Sequence, residues 1–459
     1  MNRLFVSAAH KSSGKTTLCI GLAAALRARG EVVQPFKKGP DYIDPLWLGF
    51  AAGRPCYNLD PYLSGAEELR AEFTRRMQGA TLGLVEGNKG LYDGLALDGS
   101  NSNAALAAML GAPVVLVIDA RGMTRGIAPL ILGFQAFDPG IRIAGVILNQ
   151  LGGARHEAKL RAVIAHYTGV PVLGAVQYDE QLTIVERHLG LVPSNEADAA
   201  RARVEDIAAR IAAQVNLDAL LAVGRSAPAL DAPATPAAPR AGGAPLKIGI
   251  ARDSAFGFYY PGDLEALREA GAELVPFDTL RDRRLPAVDA LFIGGGFPET
   301  HMQALAANAA MRAAVREAIE SGMPAYAECG GLMYLARSIE WNGRRAEMAG
   351  VLPADIVMHA RPVGRGYVHL RETGNGLWPA QPGLIRAHEF HYSSVENLAP
   401  GLAFAYAVER GHGIDGRRDG IVHKNLIASY AHLRDVAGHR WARRFVQFAR
   451  RCVNTEAHA

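Results

Sequence analysis

Two segments of the chain contain side chains whose type and spacing could do chemistry. The first is SAAHKSSGKTT at positions 7–17, a glycine- and serine-containing loop between an apolar run and a helical pattern. In such a loop the backbone N–H groups hold phosphate oxygens, a lysine bridges them, and a hydroxyl binds Mg²⁺. Ala9 replaces the first glycine of the usual G-x-x-x-x-G-K-[ST] pattern but is small enough to allow close approach. The predicted ATP-binding residues are Gly14, Lys15, Thr16 and Thr17.

The second segment, PAYAECGGLMYL at positions 324–335, predicts a strand, a cysteine on a sharp turn and a helix. Ala327 and Gly331 lie two positions on either side of Cys329. Such small neighbours are required where a nucleophile occupies a cramped strand-to-helix elbow. The start of a helix also favours the thiolate form of a cysteine. An isolated cysteine would more often be a buried structural residue, but this pattern favours a nucleophile.

A cysteine nucleophile needs an oxyanion hole and a base. The predicted oxyanion donors are the backbone N–H groups of Gly330 and of Gly295, which lies in the run GGGFPE. The predicted base is His432, in the strand-like run ASYAHL near the end of the chain. A phosphate loop and a reactive thiol in one chain indicate an enzyme that activates an acceptor with ATP and delivers to it a group freed by the cysteine.

Acidic side chains follow two predicted strands of the first half. The candidates are Asp41 and Asp44 in FKKGPDYIDP, and Glu86 and Asp93 in LVEGNKGLYDG. Mg²⁺ binds one or two carboxylates together with phosphate oxygens and water. Because Glu86 closes an apolar strand, we predict that Thr16, Asp44 and Glu86 surround the metal. For Asp41 and Asp93, a solvated loop charge or a helix cap is an equally good interpretation.

Lys37 and Lys38 precede the first pair of acids. They could neutralise a transferred phosphoryl group or an anionic substrate, although two adjacent lysines are more often simply solvated.

Composition limits the other functions. A hydrophobic content of 49%, a charged content of 20% and a net charge of +4 are typical of a globular protein without a nucleic-acid surface. The four cysteines lie far apart with no CxxC pair, which argues against a disulfide framework or a zinc site. The apolar run PVVLVIDA is too short for a membrane span, and no signal peptide is visible. We therefore expect a cytoplasmic protein.

The segment 224–245 is dominated by alanine, proline and glycine and is predicted to be a linker. Residues 1–223 and 246–450 are the predicted domains. In both, apolar runs alternate with helical patterns, which predicts an α/β fold with a mostly parallel sheet flanked by helices. The predicted strands are 3–9, 82–87, 113–119 and 141–148 in the first domain, and 245–251, 287–296 and 324–328 in the second.

Taken together, these motifs resemble the cobyrinic acid a,c-diamide synthase family, which includes enzymes that act on hydrogenobyrinic acid. The resemblance rests on FKKGPDYIDP and VEGNKGLYDG in the first half, and on GGGFPE, ECGGL, AHEFHYS and SYAH in the second. It implies a P-loop domain similar to dethiobiotin synthetase, in which Asn149 contacts adenine. It also implies a class I glutamine amidotransferase domain with a flavodoxin-like fold. The substrate-facing residues that we expect are Asp41, Tyr42, Ile43 and Asp93.

The resemblance further implies amidation of the a and c acetate groups of the corrin ring in cobalamin biosynthesis. ATP would convert each carboxylate to an acyl phosphate, and Cys329 with His432 would release ammonia from glutamine. One departure is visible: class I glutaminases have an acid two residues after the histidine, whereas this chain has Arg434. Glu389 is a candidate to orient His432 instead.

Three alternatives stay open. One is amidation of another tetrapyrrole such as nickel sirohydrochlorin, and a second is amidation of the propionates as in cobyric acid synthase. The third is an ATPase switch of the ParA/MinD type that makes no product, although the signature lysine of that class would fall at His10. The expected partners are the corrinoid, ATP with Mg²⁺, and glutamine, with no nucleic acid or membrane; a homodimer stays open.

Overall fold

The computed structural model describes residues 1–182, 186–187, 190–191, 200–231 and 244–456. The chain divides into two compact units, Met1–Pro236 and Ala237–Ala459. Each unit is an α/β fold, so the predicted two-domain α/β class is confirmed. Among the described residues, none of the helices has the length and apolar character needed to cross a membrane.

The predicted linker is only partly described. Residues 232–243 lie outside the described residues, while Gly224 and Arg225 belong to the last helix of the first unit. Leu230 packs against the core of this unit, and the carbonyl of Pro228 accepts a hydrogen bond of 2.8 Å from Arg3. The first unit therefore continues beyond the predicted boundary at residue 223.

Nine strands and eight α-helices are described in the first unit. The strands are β1 (Arg3–Ala8), β2 (Val33–Lys38), β3 (Tyr57–Leu59), β4 (Leu82–Glu86), β5 (Val114–Asp119), β6 (Ile143–Leu151), β7 (Val172–Gln177), β8 (Glu186–Arg187) and β9 (Gly190–Leu191). The helices are α1 (Lys15–Ala28), α2 (Ile43–Ala52), α3 (Ala66–Arg76), α4 (Asn103–Met109), α5 (Ile127–Phe137), α6 (Ala154–Tyr167), α7 (Ala200–Ala212) and α8 (Leu217–Arg225), with a 3₁₀ turn at Glu180–Leu182.

Seven of these strands form a parallel sheet in the order β3-β2-β4-β1-β5-β6-β7. Every residue of β1, β2, β4 and β5 is buried, as expected for strands covered on both faces. The strand order changes direction at β1, and ligands bind such sheets where the order changes, beyond the carboxyl ends of the strands. The phosphate loop follows β1 directly.

Fifteen strands and five α-helices are described in the second unit. The strands are β10 (Leu246–Ala251), β11 (Phe256–Phe258), β12 (Ala272–Phe277), β13 (Ala290–Ile293), β14 (Gly295–Gly296), β15 (Ala325–Glu328), β16 (Ser338–Trp341), β17 (Arg344–Glu347), β18 (Asp355–Met358), β19 (Gly364–Glu372), β20 (Ile385–His391), β21 (Ser393–Glu396), β22 (Ala403–Arg410), β23 (Arg418–His423) and β24 (Leu426–Ser429). The helices are α9 (Pro261–Glu269), α10 (Met302–Ala307), α11 (Ala309–Glu320), α12 (Gly330–Leu335) and α13 (Trp441–Glu456), with a 3₁₀ turn at Pro298–His301.

The main sheet of the second unit has nine strands in the order β12-β10-β13-β15-β24-β23-β22-β19-β20. The first five are parallel, and the last four continue the sheet in antiparallel fashion. All four of these antiparallel strands lie between residues 364 and 423. β15 and β24 are neighbours in the centre, so the ends of these two strands bring together the cysteine elbow and the segment that contains His432.

Candidate active sites

The phosphate loop of the first unit has the backbone shape that anion binding requires. Ser12 and Gly14 have positive φ angles of 65° and 80°, and Gly14 directly precedes α1. The Ser13 hydroxyl donates to the His10 carbonyl at 2.8 Å, which closes the loop on itself. A Cβ atom on Gly14 would lie 2.3 Å from the side-chain nitrogen of Asn149 and would displace that side chain, and the φ of 80° would strain any residue other than glycine.

Asn149, on β6, supports this loop from the neighbouring strand. Its side-chain amide donates to the Ser13 carbonyl at 2.9 Å. A contact between Asn149 and adenine stays a prediction of the family resemblance, whereas its contact with the loop is a feature that sequence reasoning missed. The signal that could have revealed this contact is the strand register. Asn149 pairs with Asp119 at the end of β5, and β5 is the neighbour of β1, which the phosphate loop follows.

Three elements bring the predicted metal ligands together. Thr16 lies in the first turn of α1, Asp44 in the first turn of α2, and Glu86 at the end of β4. The Thr16 hydroxyl is 2.7 Å from Oε1 of Glu86 and 3.2 Å from Oδ2 of Asp44. The side chain of Lys37 enters the same cluster, with Nζ 2.5 Å from Asp44 and 2.9 Å from Glu86.

Of the two interpretations of the adjacent lysines, the structure contradicts the one in which they are simply solvated. Lys37 and Lys38 are only 3% and 5% exposed, because they end β2, an interior strand between β3 and β4. The parallel register places Lys37 directly beside Glu86. Lys38 reaches Oδ1 of Asn88 at 3.3 Å, and burial lowers its pKa to about 8.

Burial and neighbouring charges set the ionisation of this cluster. Burial opposes the charge on Lys37, but Asp44 and Glu86 together raise its pKa well above the usual value. Burial also opposes ionisation of Asp44, yet Lys37 and Thr16 lower its pKa. The pKa of Glu86 is raised, by burial and by the charge of Asp44. Burial lowers the pKa of Lys15, at the start of α1.

The donor set fits Mg²⁺. Two carboxylates and a hydroxyl are the hard oxygen ligands that this ion prefers, with phosphate and water completing its shell. Oε2 of Glu86 is buried without a hydrogen-bond partner, which leaves a carboxylate oxygen available for a cation. Within the described ranges no cluster of three or more His, Cys, Asp or Glu side chains could hold a metal by itself. A metal here would therefore depend on phosphate oxygens as well.

The predicted substrate-facing residues have structural contacts of their own. Asp41 accepts hydrogen bonds from the N–H groups of Ile43 and Asp44 at 3.0 and 3.1 Å, and so caps α2. Burial and the charge of Asp44 raise the pKa of Asp41 to about 7. Ile43 is buried, and Tyr42 directly precedes α2. Asp93 accepts the N–H of Gly90 at 2.9 Å. A contact of these four residues with substrate stays a prediction.

In the second unit, Cys329 occupies the predicted elbow. Its φ of 47° and ψ of −102° are rarely adopted by residues other than glycine. Its N–H donates to the Ser429 carbonyl at 2.7 Å, which ties the elbow to the end of β24. A Cβ atom on Gly331 would lie 2.0 Å from the carbonyl oxygen of Ile293, so the chain can turn here only with glycine at this position.

The ring of His432 lies against Cys329, so the structure brings the predicted nucleophile and base together. Burial disfavours the imidazolium, but hydrogen bonds to Cys329 and Glu328 outweigh it and raise the pKa of His432 to about 10. The backbone of His432 is fixed by two hydrogen bonds with His388, of 2.7 and 3.3 Å. Gly295 approaches the same ring, since a Cβ there would lie 2.7 Å from Cε1 of His432.

The predicted oxyanion donors border the elbow. Gly295 belongs to β14, and Gly330 is the first residue of α12. A Cβ on Gly330 would lie 2.9 Å from the backbone nitrogen of Gly296, so the two glycine segments are in close contact. Their function as oxyanion donors stays a prediction.

Glu389, the candidate to orient His432, lies elsewhere. Its carboxylate accepts the N–H groups of His412 and Gly413 at 2.7 and 2.8 Å. The acid beside His432 is Glu328, whose Oε2 is 3.5 Å from Nδ1 of the ring. Sequence reasoning missed it because class I glutaminases have this acid after the histidine, whereas Glu328 directly precedes the cysteine.

Comparison with known proteins covers both units. Residues 247–436 match the family model of the CobB/CobQ-like glutamine amidotransferase domain, and residues 5–192 match the CobQ/CobB/MinD/ParA nucleotide binding domain. The chain is 49% identical to the cobyrinate a,c-diamide synthase of Magnetococcus marinus over 453 residues, which cover 98% of this chain and 97% of that protein. The chain belongs to the cobyrinate a,c-diamide synthase family.

A second relative has the same name. The cobyrinate a,c-diamide synthase of Methanosarcina acetivorans is 41% identical over 474 residues, covering 97% of this chain and 95% of that protein. The nucleotide-binding model also covers MinD and ParA, so this model alone does not separate the family from an ATPase switch. The amidotransferase match and the full-length relatives do, and the family resemblance predicted from the motifs is confirmed.

The elbow makes the stability of the second unit sensitive to Gly331. Gly331→Ala should lower the stability of this unit by about 3 kcal/mol or more, because the added carbon meets a backbone oxygen that cannot yield. The control is Gly438→Ala, at a position where an added Cβ has no neighbour within 4 Å. Calorimetric unfolding of both variants measures the difference, and equal transition temperatures would contradict the tight packing of the elbow.

Proposed function

We propose that the chain is an ATP-dependent, glutamine-hydrolysing synthase that amidates the a and c acetate carboxylates of cobyrinic or hydrogenobyrinic acid in cobalamin biosynthesis. The observation that carries this proposal is the hydrogen-bonded pair of Cys329 and His432 on a glycine-lined elbow. It occurs in a chain that also has a phosphate loop and is similar over its whole length to proteins named cobyrinate a,c-diamide synthase.

In the second unit, the thiolate of Cys329 attacks the side-chain amide carbon of glutamine. The N–H groups of Gly330 and Gly295 stabilise the negative oxygen of the tetrahedral intermediate. His432 takes the thiol proton and donates it to the departing nitrogen, so that ammonia leaves and a thioester remains. Water then attacks the thioester with His432 as base, which releases glutamate and restores the thiol.

In the first unit, the loop amides and Lys15 hold the phosphates of ATP. Thr16, Asp44 and Glu86 would hold Mg²⁺, whose charge offsets that of the phosphates. An oxygen of the ring carboxylate attacks the γ-phosphorus, ADP leaves, and an acyl phosphate forms. Lys37, which is buried beside the same carboxylates, would neutralise the transferred phosphoryl group. Ammonia then displaces phosphate and leaves the amide.

We also propose that the protein is located in the reducing cytoplasm. The free thiols that would have to stay reduced are those of Cys19, Cys56, Cys329 and Cys452.

The test of this function is product analysis by mass spectrometry after incubation with Mg-ATP and glutamine. Cobyrinic acid, hydrogenobyrinic acid and nickel sirohydrochlorin are supplied in parallel. Cys329→Ala should amidate the same ring only when ammonium replaces glutamine, because removal of the thiol abolishes ammonia release and leaves the ATP site intact. A diamide of either corrin ring supports the proposal. Amidation of nickel sirohydrochlorin alone would show that this ring, and not a corrin ring, is the substrate. ATP turnover with no ring amidated would contradict the proposal.

The metal assignment makes a separate prediction. Asp44→Asn and Glu86→Gln should each lower amidation roughly 100-fold or more with either nitrogen source, since each removes a charged ligand from the site of phosphoryl transfer. The Mg²⁺ concentration for half-maximal rate should also rise.

Glu72→Gln is the control for these two variants. Glu72 is a partly buried acid of the same unit, but it pairs with Arg75 and Arg76 on α3. Its amidation rate and Mg²⁺ requirement should match those of the wild type. Unchanged rates and Mg²⁺ dependence in the Asp44 and Glu86 variants would show that the metal binds elsewhere.

A further inference from the structure

The carboxylate that faces the ring of His432 comes from the nucleophile's own elbow. Oε2 of Glu328 is 3.5 Å from Nδ1 of His432, and both side chains are almost fully buried. We propose that Glu328 is the residue that positions His432 for glutamine hydrolysis. This inference rests on the proposed function and adds a third member to the pair of Cys329 and His432.

The sheet explains how an acid one residue before the cysteine reaches the histidine. β15 and β24 are parallel neighbours, and Glu328 pairs with Ser429 in their register. After these two residues the chain leaves the sheet in both places. The segment after β15 continues through the elbow at Cys329, and the segment after β24 leads to His432. The positive φ of Cys329 turns the chain sharply, so Glu328 at the strand end and the thiol after the turn both lie next to the same ring.

Glu328 is itself held in one orientation. Its Oε1 accepts a hydrogen bond of 2.7 Å from the hydroxyl of Tyr326 and one of 2.9 Å from the N–H of Leu433. Tyr326 is fully buried and packs against the rings of Trp378 and Trp441. Because both donors bind Oε1, Oε2 is the oxygen directed at the histidine. The Leu433 bond also ties the carboxylate to the segment that contains His432.

This arrangement assigns the two ring nitrogens. With Nδ1–H directed at a carboxylate, Nε2 is left to take the thiol proton, and the negative charge stabilises the imidazolium that results. The separation of 3.5 Å is longer than a strong hydrogen bond, and such contacts commonly tighten when substrate binds. A carboxylate therefore does here what the acid two residues after the histidine does in other class I glutaminases.

The other titratable groups near the ring do not take this role. The backbone of His388 is hydrogen-bonded to the backbone of His432. The ring of His388 is neutral at ordinary pH because burial lowers its pKa to about 3. Arg434, which occupies the usual position of the acid, lies 3.5 Å from Asp263 and over the ring of Tyr260. Glu389 is committed to the N–H groups of His412 and Gly413.

The test is the isosteric variant Glu328→Gln. Its Oε1 can still accept from Tyr326 and Leu433, so the fold is kept, but its amide N–H₂ would face Nδ1 of His432. That contact favours the tautomer with the proton on Nε2, which cannot accept the thiol proton. We expect glutamine-dependent kcat to fall between roughly 10²- and 10⁴-fold, with little change in KM for glutamine and with ammonium-dependent amidation unchanged.

Glu389→Gln is the matched control, since it removes a buried acid of the same unit that does not contact His432. Its glutamine-dependent kcat should stay within about threefold of the wild type, as expected for residues that touch no reacting group. A large fall in Glu389→Gln together with an active Glu328→Gln would overturn the proposal. So would equal losses of glutamine- and ammonium-dependent activity in Glu328→Gln, because these indicate general damage to the protein.

A second measurement does not depend on turnover. NMR titration of the histidine ring signals, assigned with His432→Gln, gives the pKa of His432 in the wild type and in Glu328→Gln. Glu328 raises this pKa, so the variant should titrate at lower pH; identical titration curves would overturn the proposal. Because no substrate is present, this outcome holds even if the chain amidates a different ring, and it separates failure of the positioning role from failure of the proposed function.

Discussion

A cysteine at the end of a buried strand can reach a bound substrate only if the chain turns sharply there, and Cys329 makes this turn with a φ of 47°. That conformation is strained and persists only where the surroundings enforce it. Here the Ser429 carbonyl holds the Cys329 N–H, and glycines at 330 and 331 let the turn approach the neighbouring strands. His432, the glycines at 295 and 330 and Glu328 all lie around that turn.

The first unit depends on a different constraint, the burial of charge. Lys37 and Glu86 are buried and paired with each other, Lys37 also pairs with the partly exposed Asp44, and removing one member of such a group typically costs about 3–5 kcal/mol. Replacing buried ion pairs with apolar residues is often neutral or stabilising, so stability alone does not explain the cluster. Under the proposed function, the cluster would serve a ligand that carries both charges, a nucleotide with its cation, which needs partners of both signs.

Much of this could be predicted from sequence because the signals were local. The phosphate loop and the cysteine elbow are short contiguous patterns whose glycines fix the backbone, and the alternation of apolar runs with helices gave the correct fold class. Cys329 and His432 are about a hundred residues apart in the chain, and their contact was predicted from the need of a thiol for a base and from the strand-like run that contains His432.

What sequence reasoning missed depends on strand order and register. Lys37 and Lys38 look like solvated lysines until β2 is known to be an interior strand. Asn149 reaches the phosphate loop, and Glu328 reaches His432, only because parallel strands bring their ends to one edge. Glu389 is part of the family motif AHEFHYS, yet its carboxylate is used to hold a loop. No pattern within a single segment contains this information.

Under the proposed function, the nitrogen released at Cys329 becomes the amide made at the ATP site. The direct measurement supplies glutamine labelled with ¹⁵N in its side-chain amide, unlabelled ammonium in the medium, Mg-ATP and the accepted ring, and determines the isotopic content of the product by mass spectrometry. The proposed function predicts that both new amides contain ¹⁵N and that no amide forms when ATP is left out. Product amides that carry mainly unlabelled nitrogen, or labelled amides formed without ATP, would contradict it.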